Sequence, residues 1–200
     1  MTIKVFNEKS PWIMELLMRD FDMDPASAAA ILGNLGHESG GLTAFQEYNP
    51  TVKGSRGGFG WAQWTGPRRR QFEAYVKRNN LEPKSDRANY GFLFVELSGP
   101  EAKAIPAVKK DGTLSAKTKA FELAFERAGV KHYKSRSIWA DRALTAWHEA
   151  KKPIILPEWV RGDALPPPDV PKPTPDTITP QPQQHWLVSL LLSIWKAFRR

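Results

Sequence analysis

The sequence predicts a mainly α-helical domain, followed by a proline-rich linker and a C-terminal amphipathic helix. Three observations carry this. Apolar residues recur at helical spacing in several segments before residue 152, and only one short glycine- and tryptophan-rich stretch alternates as a β-hairpin or loop would. Ten of the 31 residues from Pro153 to Gln183 are proline, without apolar periodicity, which describes an extended linker. The last 16 residues then become apolar and end in cations. The expected divisions are a domain over 1–152, a linker over 153–184 and a helix over 185–200. Two hundred residues allow one ordinary domain with a real core, and no repeat period is visible.

The elements follow in order. Met1 to Ser10 is polar and shows no signal peptide, so the chain is expected to be made in the cytoplasm without a cleavable leader. Ser10-Pro11 reads as a cap and first turn, with Ile13, Leu16, Leu17 and Phe21 on the buried face. Asp24-Pro25 starts a second helix, in which Ala28, Ile31, Leu35 and Glu38 recur at spacings of three, four and three and share one face. Gly40-Gly41 can close it. Thr43 to Arg56 is a polar, turn-rich loop, and Thr65-Gly66-Pro67 launches a helix with Phe72, Tyr75 and Val76 inward. Tyr90 to Ser98 is apolar enough to be the central helix. Ala102 to Gly112 reads as a loop. Ser115 to Ala128 is amphipathic with Gly129 as its stop, and Ser137 to Ala150 repeats the pattern through Trp139, Ala143, Ala146 and Trp147. The result is four or five helices around one irregular or β segment.

The chemistry gathers at the end of the second helix. Glu38 lies on the inward stripe in the last turn, where burial disfavours its charge and the helix C-terminus adds partial negative charge. Both favour a protonated carboxyl, which is what a general acid needs. About twenty residues later, Phe59, Trp61 and Gln63 alternate with Gly60 and Ala62, so an extended chain would project the large residues to one side. Flat rings beside glycines form a wall against which a sugar can stack, with the Gln63 amide free for hydroxyl or acetamido groups; Trp64 would point the other way. If a second carboxylate takes part, Glu47 is the candidate in the intervening loop. A single-acid mechanism assisted by the substrate's acetamido group stays open. Arg68, Arg69 and Arg70 occupy a first helical turn against the dipole preference, as either ligand contacts or a solvated face.

Several classes are excluded. With no cysteine, disulfides, thiolate metal sites and Cys-His amidase chemistry are impossible. The histidines at 37, 132, 148 and 185 form no helical pair, so no metal or other cofactor is expected. The net charge of +8 suits a polyanionic partner. Nucleic acid is one, but no binding motif supports it; the bacterial envelope is the other.

The stretches Gly33-Asn34-Leu35-Gly36-His37-Glu38-Ser39-Gly40-Gly41 and Gly57-Gly58-Phe59-Gly60-Trp61-Ala62-Gln63-Trp64-Thr65-Gly66-Pro67-Arg68-Arg69 together resemble the phage tail lysozyme family of the lysozyme-like superfamily. The run Tyr90 to Leu97 and the run Ala120 to Arg127, followed by Arg136 and Arg142, also fit. The resemblance covers about residues 11 to 148, and Asn89 departs from it where a Gln is expected. It implies a lysozyme-like helical fold with a short β-hairpin or loop at the cleft. It also implies a phage or prophage endolysin acting on peptidoglycan, a monomer, with Glu38 as catalytic acid. Gln63 and Trp64 match the family's Gln-Trp pair, and His37, Ser39, Phe59 and Trp61 complete the substrate-contacting candidates. Lytic transglycosylation, or a non-catalytic wall-binding or tail-structural module, are the alternatives. The enzyme would work at the periplasm or cell wall. The tail is too short to span a bilayer, and Trp186, Leu190, Trp195, Lys196, Arg199 and Arg200 are expected to lay it in an anionic membrane surface.

Overall fold

The computed structural model describes residues 2–50 and 54–161. The tail residues expected at a membrane, and most of the linker, lie outside them. Eight α-helices are described: α1 Thr2–Phe21, α2 Pro25–Glu38, α3 Gly66–Arg78, α4 Asp86–Ser98, α5 Ala104–Lys109, α6 Leu114–Phe121, α7 Tyr133–Glu149 and α8 Glu158–Arg161; a π-helical turn, Glu122–Glu126, follows α6 directly. Strand structure among the described residues is limited to isolated antiparallel bridges, Gln46 with Phe59 and Phe59 with Trp64. This is a lysozyme-like helical domain, as expected.

The central helix is α2, not the Tyr90–Ser98 segment. Ten of its 14 residues are buried, including the run Ser27 to Gly36, so it is enclosed on all sides. It packs on α7, α6 and α1. Small residues make this possible. A Cβ on Gly33 would lie 2.6 Å from both the Ala140 Cβ and the Arg136 carbonyl of α7, and one on Gly36 would lie 2.7 Å from the Phe6 ring. Asp24 starts α2 as read from the sequence, its carboxylate accepting the Ser27 N–H at 2.7 Å.

Three boundaries differ from expectation. The first helix begins at Thr2, eight residues before the expected cap, because Phe6 is fully buried edge-on against Trp139 at 4.7 Å. Pro11 lies inside α1, and the Ser10 hydroxyl beside it donates to the Phe6 carbonyl at 2.7 Å. The expected loop at 102–112 contains α5, which buries Ala104 and Val108. The amphipathic segment from 115 leaves α geometry at Glu122 and ends on Arg127 in the left-handed region, φ 52°, before Gly129 is reached. The packed body also runs past residue 152. Leu156, Trp159 and Val160 lie on the core, with Trp159 edge-on to Trp12 at 5.9 Å and 6.3 Å from Tyr90.

Gly33→Ala should therefore cost about 1–3 kcal/mol by forcing α2 and α7 apart. Thermal unfolding should show a fall in Tm of about 2–4 °C for each kcal/mol. Gly129→Ala, where an added Cβ meets nothing within 4 Å, should leave Tm within about 1 °C by the same scaling.

Candidate active site

Glu38 is the last residue of α2, and the chain after it is shaped to stop the helix there. Ser39 is buried; its hydroxyl donates to the Leu35 carbonyl at 2.6 Å and accepts the Leu42 N–H at 3.0 Å. Gly40 takes φ 52° and the Gly41 N–H reaches back to the Gly36 carbonyl at 2.7 Å, a Schellman closure. Trp139 lies so close to Gly41 that a Cβ would meet its ring at 2.9 Å. Ser39 thus fixes the turn that presents Glu38, and both its hydroxyl bonds are internal.

The Glu38 carboxyl is about one-fifth exposed and held by a buried arginine. Arg136, on α7, donates from Nη2 to Glu38 Oε1 at 2.6 Å, from Nη1 to Asn34 Oδ1 at 3.0 Å and from Nε to the Lys131 carbonyl at 3.1 Å. Asn34 is itself fixed, donating to the Ala30 and Thr118 carbonyls at 2.9 and 3.0 Å. A planar guanidinium with three fixed acceptors has one orientation, so it aims the carboxyl as well as pairing with it.

The glycine and tryptophan stretch is a tight turn and not an extended segment. Phe59 and Trp64 exchange both backbone bonds, at 3.1 and 2.8 Å, and the four residues between them turn through Gly60 at φ 79° and Gln63 at φ 44°. Side chains in such a turn do not alternate, and this overturns the expected stacking wall. Trp61 is 0% exposed and Trp64 1%, so neither indole presents a face to a sugar. Trp64 stacks on Phe72 at 4.9 Å and donates to Glu96 Oε2 at 2.6 Å. Asn89, the departure from the family pattern, accepts the Trp61 backbone N–H at 2.9 Å and clamps the turn.

The remaining candidates divide between two places. Phe59, half-buried between Phe72 and the Arg69 guanidinium, sits on the loop with Gln63 and Glu47. Gln63 Nε2 donates to the Ala44 and Gly60 carbonyls at 2.9 Å each, and Glu47 Oε2 accepts the Gly58 N–H at 2.8 Å. Both hold the loop together. His37 belongs with α7: its Nδ1 is 2.9 Å from the Ser135 hydroxyl and its ring 5.2 Å from that of His132. Burial, then the Arg136 and His132 charges, push its pKa down to about 4. Of the three arginines in the first turn of α3, two are internal ties. Arg68 makes a two-bond pair with Glu96 at 2.6 and 2.8 Å, and Arg69 reaches Glu73 and Gln46, while Arg70 is exposed.

Two residues carry more than the sequence assigned them. Arg136 is an arginine on the buried stripe of α7 with Ala140 and Ala143, a placement that itself signals a buried partner. Glu126, on the π-helical turn, has an Oε1 sealed from solvent with no hydrogen-bond partner. Burial first, and then the Glu38 charge, push its pKa well above the usual carboxylate range. No group of three or more His, Cys, Asp or Glu among the described residues is arranged to hold a metal.

A part-exposed carboxyl stands at the end of an enclosed helix, aimed by a buried arginine, in a lysozyme-like helical domain. The phage tail lysozyme family model matches residues 10–147, and the chain belongs to that family. No curated protein and no solved structure matches it. Lysozyme-like action on peptidoglycan is what that membership carries.

With the His37 pKa pushed down to about 4 in the folded chain, the unfolded chain holds the extra proton between that value and the ordinary imidazole range. Stability is then complete above about pH 6.5, falls as pH drops toward 4, and levels below that. His37 is half-buried, so solvent screening holds the loss to about 1 kcal/mol, or about 2–4 °C in Tm between pH 7 and 4.5. His37→Gln should remove that part of the slope in thermal melts.

Proposed function

We propose that this protein cleaves the peptidoglycan glycan strand between N-acetylmuramic acid and N-acetylglucosamine, with Glu38 as the general acid, as a phage or prophage endolysin. Glu38 delivers a proton to the glycosidic oxygen as the bond to the sugar C1 breaks, and a water oxygen then bonds to C1 and loses a proton. The observation that carries this reading is the aimed, part-exposed carboxyl of Glu38 on its three-point arginine support. Phe59, His37 and Gln63, all half-buried, are the substrate-contacting candidates of this reading.

A second reading has one specific support. Glu47, the expected second carboxylate, is engaged with the Gly58 backbone, and a lytic transglycosylase forming anhydro products needs no second carboxylate. The proposal extends to location. The enzyme acts at the periplasm or cell wall, and the apolar, cation-ended stretch with Trp186, Leu190, Trp195, Lys196, Arg199 and Arg200 meets an anionic membrane surface. Liposome binding that survives deletion of residues 185–200 would overturn the last part.

Digestion of purified peptidoglycan by the wild type should release muropeptides with reducing ends, read by mass spectrometry, and Glu38→Gln should slow release by about 100-fold or more. Anhydro products would make the enzyme a transglycosylase. Equal release by both proteins would remove Glu38 as the acid, and none from either would leave a wall-binding or structural module.

A further inference from the structure

Most of the well-placed cations of this domain face a carboxylate. Arg136 pairs with Glu38, Arg68 with Glu96, Arg69 with Glu73, Arg127 with Glu101 and Lys117 with Asp24. A groove on α7 is different. It has a volume of about 560 Å³ and runs from His132 to Arg142. Lys134 and Arg142 line it, and Lys119 of α6 lies 5.4 Å over the ring of Tyr133, which lines it too. None of these three cations has a carboxylate partner among the described residues; Arg142 lies instead 4.9 Å over the Trp139 ring. Asp141 and Glu149 line the next groove along α7 and pair with none of them. The helix also begins here without a side-chain cap and with no acid in its first turn, so its free amides add to the positive potential.

The groove adjoins residues close to Glu38 on both sides in the chain. The Ser135 hydroxyl is 2.9 Å from His37 Nδ1, and the His132 ring is 5.2 Å from that of His37. Trp139 lies against Gly41, where a Cβ would meet its ring at 2.9 Å. Its rings are poorly placed as platforms for a sugar. Trp139 has Arg142 over it and Phe6 edge-on at 4.7 Å, while Tyr133 carries Lys119 and donates its hydroxyl to Glu122 at 3.2 Å. What the groove offers outward is charge held over rings, beside one apolar side chain, Ile138, which is 41% exposed. Lys134, Ile138 and Arg142 recur at a spacing of four and form one row on the helix. The row is about 12 Å long, close to the span of an extended peptide of about four residues.

We propose that this groove binds the carboxylate-bearing peptide stems of peptidoglycan, and so makes the enzyme prefer glycan whose muramic acid still carries its peptide. This rests on the reading of Glu38 as the acid that cuts the glycan beside that sugar. A stem branches from the muramic acid next to the broken bond, so a strand held at Glu38 brings its stem to the neighbouring surface. Stems combine free carboxylates with methyl side chains. Lys134 and Arg142 at the two ends of the row match the first, and Ile138 between them matches the second. Arg142, already held over Trp139, loses little freedom when it takes up a carboxylate.

The test uses the full-length protein and two soluble glycan substrates, both freed of phosphate polymers. One keeps its stems, and an amidase has removed them from the other. The quantity read is the ratio of kcat/KM on the first to that on the second. Wild type should favour the stem-bearing strand. Lys134→Gln combined with Arg142→Gln should reduce the ratio by about 3–10-fold, the size of two part-exposed charge contacts, and through KM more than kcat. Lys134→Glu, at an exposed position, should reduce it by itself, whereas Arg142→Lys keeps the charge and should hold it near wild type. Lys77→Gln, on the exposed side of α3, removes a charge away from the groove and should leave the ratio unchanged. A merely structural role would lower Tm and slow both substrates together, with the ratio intact. A ratio that the double variant shares with wild type overturns this proposal and leaves glycan cleavage standing. A wild-type preference seen only when phosphate polymers are left on the strand assigns the groove to phosphate and overturns it too. No product from wild type on either substrate overturns the glycan-cleaving function and this proposal with it.

Discussion

Arg136 reaches Glu38 only because α2 and α7 touch almost backbone to backbone. Gly33 has no Cβ to hold off Ala140 and the Arg136 carbonyl, and the guanidinium then lies flat between Asn34 and Glu38 without crossing solvent. Much of the remaining structure serves that contact. α6 and α1 close α2 on its other sides, the Thr118 carbonyl fixes the Asn34 amide, and Phe6 and Trp139 wedge the end of α2 where Gly36 and Gly41 leave room. A buried ion pair of this kind contributes little net stability, since removing the charges from water offsets their attraction. What it contributes is orientation, which the proposed role of Glu38 as general acid needs more than stability.

What could be read from the sequence was local. Asp24-Pro25 and Gly40-Gly41 mark the two ends of α2 through capping chemistry that involves neighbours a few residues apart, and both ends stand where those residues put them. The stretch at Phe59 to Trp64 was misjudged for the opposite reason. Alternation of large and small residues describes a strand only if the chain stays extended, and here a bridge between Phe59 and Trp64 folds it into a turn whose indoles both go inward. The first turns of α1 are polar enough to hide the helix because a single buried ring, Phe6, anchors them. Most of the site's wiring joins residues far apart in the chain: Arg136 and Glu38 are 98 positions apart, and Arg68 and Glu96 are 28. No periodicity within one helix encodes such a pairing. The nearest signals were an arginine on an apolar stripe and a Glu on a phenylalanine-rich one.

The distribution of positive charge also changes meaning. A net charge of +8 invites a reading of surface attraction, yet several of the arginines serve inside the domain. Arg136 and Arg68 are buried or nearly so, and Arg69 gathers the Arg56 and Gly57 carbonyls, Gln46 and Glu73 around the loop that carries Glu47. Their work is to fix loops and carboxyls.

The fastening of the segment after α7 has a mechanical consequence. Lys152 lies 3.8 Å over the Trp147 ring, the Trp147 indole donates to Glu15 at 2.8 Å, and Trp159 of α8 is set against Trp12 and Tyr90. Tension arriving along the chain from residue 162 onward meets this aromatic clasp on α1 and α4 before it reaches α7. The helix that carries Arg136 is thereby relieved of load. The contact between Arg136 and Glu38 is likewise shielded from a pull on the end of α8.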